Sequence, residues 1–401
     1  MSTTRAIINA RLVDPASGQD GPGGVLIEGG IIAQIGTELD LDAADEIIDA
    51  RGCILAPALI DLRCAKEPAL TPDGETVDTL CAAAMSGGFG TIVLAPNARS
   101  PLDKADGFAG MSRGLAQRGV RMLSACGATQ CLAGEPMAEI GLMVRGGAVY
   151  AGCGDRPIRD TRLMRRLLSY TSQFDVWLSC RPADSDLSAD AVALESDWSA
   201  RVGIPSEPAV SERIAIERDA ALAELSGGKL MIDRLSTAAG LDALRHVRGR
   251  DLEIAATVAV AHLTLNEVDA GGLNSAFRMD PPLRSEADRL ALVEAVTSGE
   301  IDAVVSDHRP TPFDDKGEPF ALAIAGTMSL ETALGAQLME RDAGSVRLTP
   351  KGRQLLDHAR QVLGATEALI EASGQTALFT GALRLGVTEM IAHTWLRDFL
   401  R

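Results

Sequence analysis

The clearest signal for the architecture lies at residues 56–68, which read Ala56-Pro57-Ala58-Leu59-Ile60-Asp61-Leu62-Arg63-Cys64-Ala65-Lys66-Glu67-Pro68. An apolar run here ends in a polar turn. A strand of a parallel barrel delivers side chains to the mouth of a site in this way. We therefore expect residues with a chemical role directly after this strand.

The pattern of this stretch repeats along the chain, because apolar runs alternate with helical stretches from Cys53 onward. The predicted strands lie at 54–60, 91–95, 120–125, 147–152, 174–179, 229–233, 253–258 and 301–306. Helices at 76–86, 160–171 and 286–298 separate some of them. Eight strand–helix repeats predict an α/β fold, a (β/α)8 TIM-type barrel over residues 53–335.

A small β domain is predicted before the barrel, over residues 1–52. Short strands at 6–12, 24–28 and 31–35 include a hairpin signal at Gly29-Gly30. These strands alone leave open edges and a half-covered face, and the chain does not return to complete them. We expect a partial β-sandwich, followed after the barrel by a helix-rich fragment over residues 336–401.

The composition excludes several classes of protein. The 401 residues carry a formal charge of −17, which opposes binding to phosphate backbones. No run approaches the ~20 apolar residues of a membrane span, so a cytoplasmic protein without membrane contact is expected. The seven cysteines include no Cys-x-x-Cys pair, which argues against a disulfide framework or a zinc ribbon.

Four motifs carry a resemblance to a known family. They read Leu55-Ala56-Pro57-Ala58-Leu59-Ile60-Asp61-Leu62, Gly87-Gly88-Phe89-Gly90-Thr91 with Ala95-Pro96-Asn97, Asp280-Pro281-Pro282-Leu283-Arg284-Ser285, and Ser306-Asp307-His308-Arg309-Pro310. Through them residues 5–335 resemble dihydroorotases, members of the amidohydrolase family that reversibly close carbamoyl aspartate into dihydroorotate.

The resemblance implies a metal site whose ligands are largely replaced. Active relatives use a His-x-His pair, an acid or modified lysine, two further histidines and an aspartate around one or two zinc ions, and the metal-bound hydroxide attacks the amide. The matching positions here hold Arg63, Ala65, Cys153, Ser179 and Arg234. Asp307 alone remains, as a vestigial catalytic residue. Because the first histidine of the chain is His246, no cofactor is expected, and zinc enters only with an unorthodox site.

The resemblance also implies a substrate-binding frame made of Lys66, Asn97 and His308. Lys66 stands where the family has an arginine, and a one-residue deletion before it weakens the match. Asn97 has an equally good structural explanation, as a capping residue after Pro96.

Two hypotheses concern the altered mouth. In the first, the guanidinium groups of Arg63 and Arg234 stand where active relatives hold their metal ions and pair with Asp307, since a buried unpaired carboxylate is costly. Alternatively, both side chains reach solvent. The other hypothesis is a thiolate site for a soft metal, formed by Cys64, Cys153 and Cys180.

Inactive dihydroorotase-like subunits that accompany aspartate transcarbamoylase also lack the His-x-His pair, and the chain is similar to them. The resemblance therefore favours a catalytically inactive scaffold subunit of pyrimidine biosynthesis, with aspartate transcarbamoylase as partner. The alternative is an active cyclic amidohydrolase with an unorthodox site. A third is the remnant of a transcriptional regulator.

The third function rests on the end of the chain, which resembles LysR-type regulators. The matching pieces are Leu330-Glu331-Thr332-Ala333-Leu334-Gly335, the wing-like Val346-Arg347-Leu348-Thr349-Pro350-Lys351-Gly352, and Gly381-Ala382-Leu383-Arg384-Leu385-Gly386-Val387. Residues 351–373 match their linker helix, through which a homodimer could form. The helices that read DNA are missing, which argues against DNA binding. The join within 329–334 suits both families and indicates an accidental chimera.

Overall fold

The computed structural model describes residues 3–66, 74–106, 108, 119–250 and 252–332, together with the backbone of two short strands beyond them. The chain divides into two compact units, Met1–Leu330 and Glu331–Arg401. Within the described ranges, no helix is both long enough and apolar enough to cross a membrane.

The first unit begins with a small sheet. Its strands are Arg5–Asp14, Gln19–Glu28, Ile31–Gly36, Glu46–Asp49 and Ile54–Leu55. The first strand lies between the second, which is antiparallel to it, and the fourth, which is parallel to it. Ile32 and Ile35 on the outer strand are more than half exposed. The sheet therefore presents apolar surface, as a partial sandwich would.

The predicted barrel is confirmed, because eight strands form one sheet in chain order. From first to eighth, these barrel strands are Leu59–Cys64, Phe89–Leu94, Arg121–Gly127, Ala148–Gly152, Leu178–Cys180, Leu230–Ile232, Ile254–Ala259 and Ala303–Val305. The pairings between neighbouring barrel strands are parallel. Two further short strands, Ala193–Leu194 and Ser206–Glu207, pair outside this sheet.

Helices follow the strands, as expected for a (β/α)8 barrel. The described helices are Val77–Ser86, Ile140–Arg145, Thr161–Thr171, Asp197–Val202, Val210–Ser226, Ala238–Arg248, Val260–Thr264, Glu286–Thr297 and Phe313–Lys316. Local sequence explains where the helix Glu286–Thr297 begins. Ser285 accepts a hydrogen bond from the backbone N–H of Asp288, and the side chain of Asp288 accepts one from the backbone N–H of Ser285.

Two hydrophobic layers hold the barrel. Helix residues such as Leu163 and Ile216 pack on outward-facing strand residues. Inside, Val93, Ala125, Tyr150 and Met231 come from four different strands and form a separate cluster. The Tyr150 hydroxyl donates to the carbonyl of Leu62 at 3.0 Å, which links the fourth strand to the first across the interior.

The barrel closes between its first and eighth strands. The backbone N–H of Ala65 donates to the carbonyl of His308 at 2.7 Å. The buried carboxylate of Asp61 accepts hydrogen bonds from the backbone N–H and the hydroxyl of Ser306 at 3.0 and 2.5 Å. Burial raises the pKa of Asp61 to about 6, although these hydrogen bonds act in the opposite direction.

The predicted strand at 54–60 is wrong in one respect, because the structure divides it in two. Ile54–Leu55 pairs with the small sheet, and the barrel strand is Leu59–Cys64. Pro57 lies between them and has no N–H to donate to a ladder. As a result Arg63 and Cys64 belong to the strand itself, and their side chains point to opposite faces.

Candidate functional site

Three aspartates meet at the carboxyl ends of the barrel strands. Asp155 lies three residues after the fourth strand, Asp233 directly after the sixth, and Asp307 two residues after the eighth. The strands of a parallel barrel all end at the same mouth, so residues far apart in the chain converge there.

The guanidinium of Arg63 contacts all three carboxylates, each through a different nitrogen. Nη2 lies 2.7 Å from Asp155, Nη1 lies 2.9 Å from Asp233, and Nε lies 2.9 Å from Asp307. Arg63 is only 6% exposed. Its planar fork of donors therefore serves as a fixed cation shared between three strand ends.

Arg234 approaches the same three carboxylates. Its Nη2, Nε and Nη1 lie 3.0, 3.2 and 3.4 Å from Asp155, Asp233 and Asp307. Nη1 also donates to the carbonyl of Asp280. Arg234 and Asp307 both have positive φ, at 60° and 49°, which is uncommon for residues other than glycine and places strained backbone at the mouth.

A third guanidinium balances the charge of this site. Arg309 Nη1 lies 2.8 Å from Asp155. We call these six residues, Arg63, Arg234, Arg309, Asp155, Asp233 and Asp307, the arginine–aspartate cluster. Its three positive and three negative groups sum to zero, so no net charge is left buried in it.

The electrostatics of the cluster keep Asp155, Arg63 and Arg234 ionised. Burial alone would raise the pKa of Asp155, but Arg309, Arg234 and Arg63 hold it well below its usual value. Burial would likewise lower the pKa values of Arg63 and Arg234, and the surrounding aspartates raise both instead. The predicted pairing of Arg63 and Arg234 with Asp307 is confirmed, and the alternative, in which they reach solvent, is wrong.

The residues present do not fit the zinc centre that the resemblance implies. A guanidinium carries no lone pair for a metal, and two of them stand within 3.4 Å of the carboxylates that a metal would need. Among the described residues, no group of three His, Cys, Asp or Glu side chains is arranged to hold a metal ion.

The remaining ligand positions supply no donor set either. Ala65 is buried and has no polar side-chain atom. Ser179 lies in the fifth barrel strand, where its carbonyl accepts from the N–H of Cys153 at 2.8 Å. Cys153, which also matches a ligand position, packs its side chain in the layer between barrel and helices.

The predicted soft-metal thiolate site is wrong for the same reason. Cys153 and Cys180 lie in that outer layer, whereas the Cys64 thiol is oriented to the carbonyl of Val93 at 3.5 Å. Burial raises the pKa values of the Cys64 and Cys180 thiols well above normal, which disfavours the thiolates that bind metals.

The three expected substrate-binding residues have structural partners. Asn97 Oδ1 accepts hydrogen bonds from the backbone N–H groups of Arg99 and Ser100 at 3.0 and 2.9 Å, which is the capping role. His308 Nε2 lies 2.9 Å from Glu75, and its Nδ1 accepts from the N–H of Ser329 at 3.1 Å. Lys66 is half-buried just after the first barrel strand. Their use in substrate binding stays a prediction.

A second buried network lies beside the cluster and explains one of the sequence motifs. Arg284, from the Pro-Pro-Leu-Arg-Ser motif, contacts Glu207 at 2.5 Å and the hydroxyl of Ser236 at 2.8 Å. Arg181 contacts Glu207 at 3.1 Å. Nearby His262 is buried, and burial lowers its pKa to about 4, with Arg284 contributing. His262 is therefore neutral near pH 7.

The sequence patterns assigned no role to Asp155, Asp233 or Arg309. Each is a charged residue within four positions of the end of a barrel strand. A search for every charged side chain at those positions, without reference to the family's ligands, would have found them.

The fold and the cluster define the class of this protein: an amidohydrolase-type barrel whose mouth is occupied by ion pairs. Among solved structures, it resembles the L-hydantoinase (dihydropyrimidinase) from Arthrobacter aurescens, with a TM-score of 0.70 and 21% identity over 83% of this chain and 76% of that one. A D-hydantoinase (dihydropyrimidinase) from Thermus sp. gives a TM-score of 0.68 and 20% identity over 82% and 75% of the two chains. These likenesses show the fold.

The chain belongs to the dihydroorotase family. It is 33% identical over 345 residues to the dihydroorotase of Syntrophotalea carbinolica, covering 86% of this chain and 81% of that protein. It is also 33% identical over 341 residues to the dihydroorotase of Anaeromyxobacter dehalogenans, covering 84% and 79%. No family model matches the chain.

Proposed function

We propose that this protein is a catalytically inactive member of the dihydroorotase family that serves pyrimidine biosynthesis as a scaffold subunit for aspartate transcarbamoylase. One observation carries the inactive assignment: the Arg63 guanidinium contacts Asp155, Asp233 and Asp307 at 2.7–2.9 Å. The carboxylates that could act on a substrate are bound to arginines of the same chain.

Hydrolysis of a cyclic amide needs an activated water and a group that takes its proton. Asp307 is the one carboxylate retained from the family's machinery, and it is paired with both Arg63 and Arg234. These contacts hold the carboxylate against two guanidinium groups of the same chain, so it is not free to approach a substrate water. The residues therefore supply neither a set of metal ligands nor a free carboxylate to take the proton.

The space beside Asp307 also supports this function. The cavity there has a volume of about 10 Å³. Its lining residues are Arg234, Met279, Asp280, Asp307, Arg309, Ala325, Gly326 and Thr327. One water needs roughly this much room, and small-molecule sites usually measure about 300–1,000 Å³.

The inactive assignment is tested by assaying dihydroorotate hydrolysis with purified protein and added zinc. We expect no rate above that of zinc alone. Asp307→Asn is the matched control: a rate that is present in the native protein and lost in this variant would establish the alternative function, an active cyclic amidohydrolase with an unorthodox site.

The scaffold role has a separate test. The aspartate transcarbamoylase encoded in the same genome is mixed with this protein and passed over a sizing column. We expect the two chains to elute together at a mass above that of either one. Separate elution at micromolar concentrations would remove the scaffold role and leave the inactive assignment standing.

We also propose that the end of the chain derives from a LysR-type regulator. The support is local: Met339–Asp342 and Ser345–Leu348 pair as antiparallel strands where the sequence resembles a wing. The linker helix expected at 351–373 and the matching stretch at 381–387 lie outside the described residues. Sequencing genomic DNA and transcripts across codons 325–345 tests the join, and a product without it would refute the chimera.

A further inference from the structure

Two cysteine thiols meet outside the arginine–aspartate cluster. Cys153 directly follows the fourth barrel strand, and Cys180 ends the fifth. Their Sγ atoms are 2.7 Å apart. Both residues are buried, with 1% and 4% exposure.

The backbone geometry suits a covalent bond between them. Neighbouring strands run about 4.8 Å apart, and the Cα atoms of a disulfide are usually about 4.4–6.8 Å apart. The N–H of Cys153 donates to the carbonyl of Ser179 at 2.8 Å, which fixes the relative position of the two strand ends. Since an S–S bond measures about 2.05 Å, closing it requires the sulfur atoms to move by less than about 1 Å.

The surroundings restrict what can reach the pair. Both side chains lie in the layer between barrel and helices, and Arg218 and Asp219 of the helix Val210–Ser226 act electrostatically on Cys180. A protein disulfide could not enter this layer without displacing the helix. A small oxidant needs only a local opening of the packing.

We propose that Cys153 and Cys180 form a modification site, at which hydrogen peroxide oxidises the two thiols to a disulfide and a small thiol, itself oxidised to a disulfide, reduces it again. When a local opening of the packing admits water, one thiol loses its proton and its sulfur attacks an oxygen of hydrogen peroxide. The O–O bond breaks and the released hydroxide takes up a proton, which gives a sulfenic acid and one water. The other sulfur then displaces the sulfenic hydroxyl, which leaves with the thiol proton as a second water. The two sulfurs together lose two electrons, and the peroxide gains them.

The bond would join two strand ends that position charged residues. Asp155 lies two residues after Cys153, and Arg181 directly follows Cys180. The cross-link spans 27 positions of the sequence, so it restricts the unfolded chain and should raise the thermal midpoint of unfolding. This inference does not depend on whether the mouth is catalytic.

Peptide mapping of the full-length protein tests the proposal. Trypsin does not cut before proline, so Cys153 falls in the peptide 146–159 and Cys180 in the peptide 167–201, each with no other cysteine. After treatment with hydrogen peroxide and blocking of free thiols, we expect these two peptides joined, with a mass lower by two hydrogens than their sum. Thiol reductant should separate them.

Two variants complete the experiment. Cys180→Ser should abolish both the joined peptide and the rise in thermal midpoint. Cys126→Ser, which changes another buried thiol, should retain both. The proposal is overturned if Cys153 and Cys180 stay alkylatable after the exposed Cys53 and Cys131 are fully oxidised, or if either one pairs with a different cysteine.

Discussion

Replacing Arg63 by methionine removes one of three guanidinium groups from a neutral cluster and keeps most of the apolar side chain. Asp155, Asp233 and Asp307 each lose a contact of 2.7–2.9 Å, and the cluster is left with one excess negative charge. Breaking a buried ion pair from one side costs about 3–5 kcal/mol. We expect the free energy of unfolding to fall by about this amount, which is a large fraction of the ~5–15 kcal/mol of a typical domain.

Urea denaturation at pH 7, followed by circular dichroism and analysed by linear extrapolation, measures the change. The exposed pair Arg213–Glu217, at 2.9 Å, provides the control, and Arg213→Met should change stability far less because solvent screens that pair. Adding Asp307→Asn to Arg63→Met removes the excess charge and should recover part of the loss. A loss below about 1 kcal/mol, or no recovery in the double variant, would refute the charge-balance reasoning.

Three other predictions concern pH and metal. The pKa of Asp61 is raised to about 6, so its contribution to stability is complete below its unfolded pKa of about 3.9 and is lost as the pH rises through 6. Asp61→Asn should therefore flatten the stability profile between pH 4 and 7 by ~3 kcal/mol. Urea denaturation across that pH range measures the change. The pKa of His262 is lowered to about 4, which acts in the opposite sense, because stability is lost as the pH falls from about 6.5 toward 4. His262→Leu should remove that part of the acid sensitivity. The same series of urea denaturations measures it. Dialysis against EDTA should leave the thermal midpoint of unfolding unchanged, because Arg63 and Arg234 supply the positive charge at the mouth. A thermal midpoint that falls in calorimetry after dialysis, and that zinc restores, would show that a metal supplies this charge.

Much of the barrel could be predicted from the sequence because its determinants are local. Apolar runs of strand length and amphipathic helices alternate along the chain, and each predicted barrel strand overlaps an observed one. The predicted strand at 54–60 is divided in the structure because Pro57 interrupts the apolar run. Pairing partners decide such cases: Ile54–Leu55 has its hydrogen bonds with the small sheet, and Leu59–Cys64 has them with the barrel.

The sequence by itself predicted that Arg63, Arg234 and Asp307 lie at one mouth, since the chain order of a parallel barrel brings the strand ends together. It left open whether the two arginines pair with Asp307 or reach solvent. Only the tertiary structure decided which further charges join them, because Asp155 and Asp233 are brought within 3.2 Å of the arginines by the turns after their strands. It also decided that Cys153 and Cys180 face each other outside the barrel. Side chains of a strand alternate between faces, so a shift of one residue in a predicted boundary turns a group from the mouth to the outer layer.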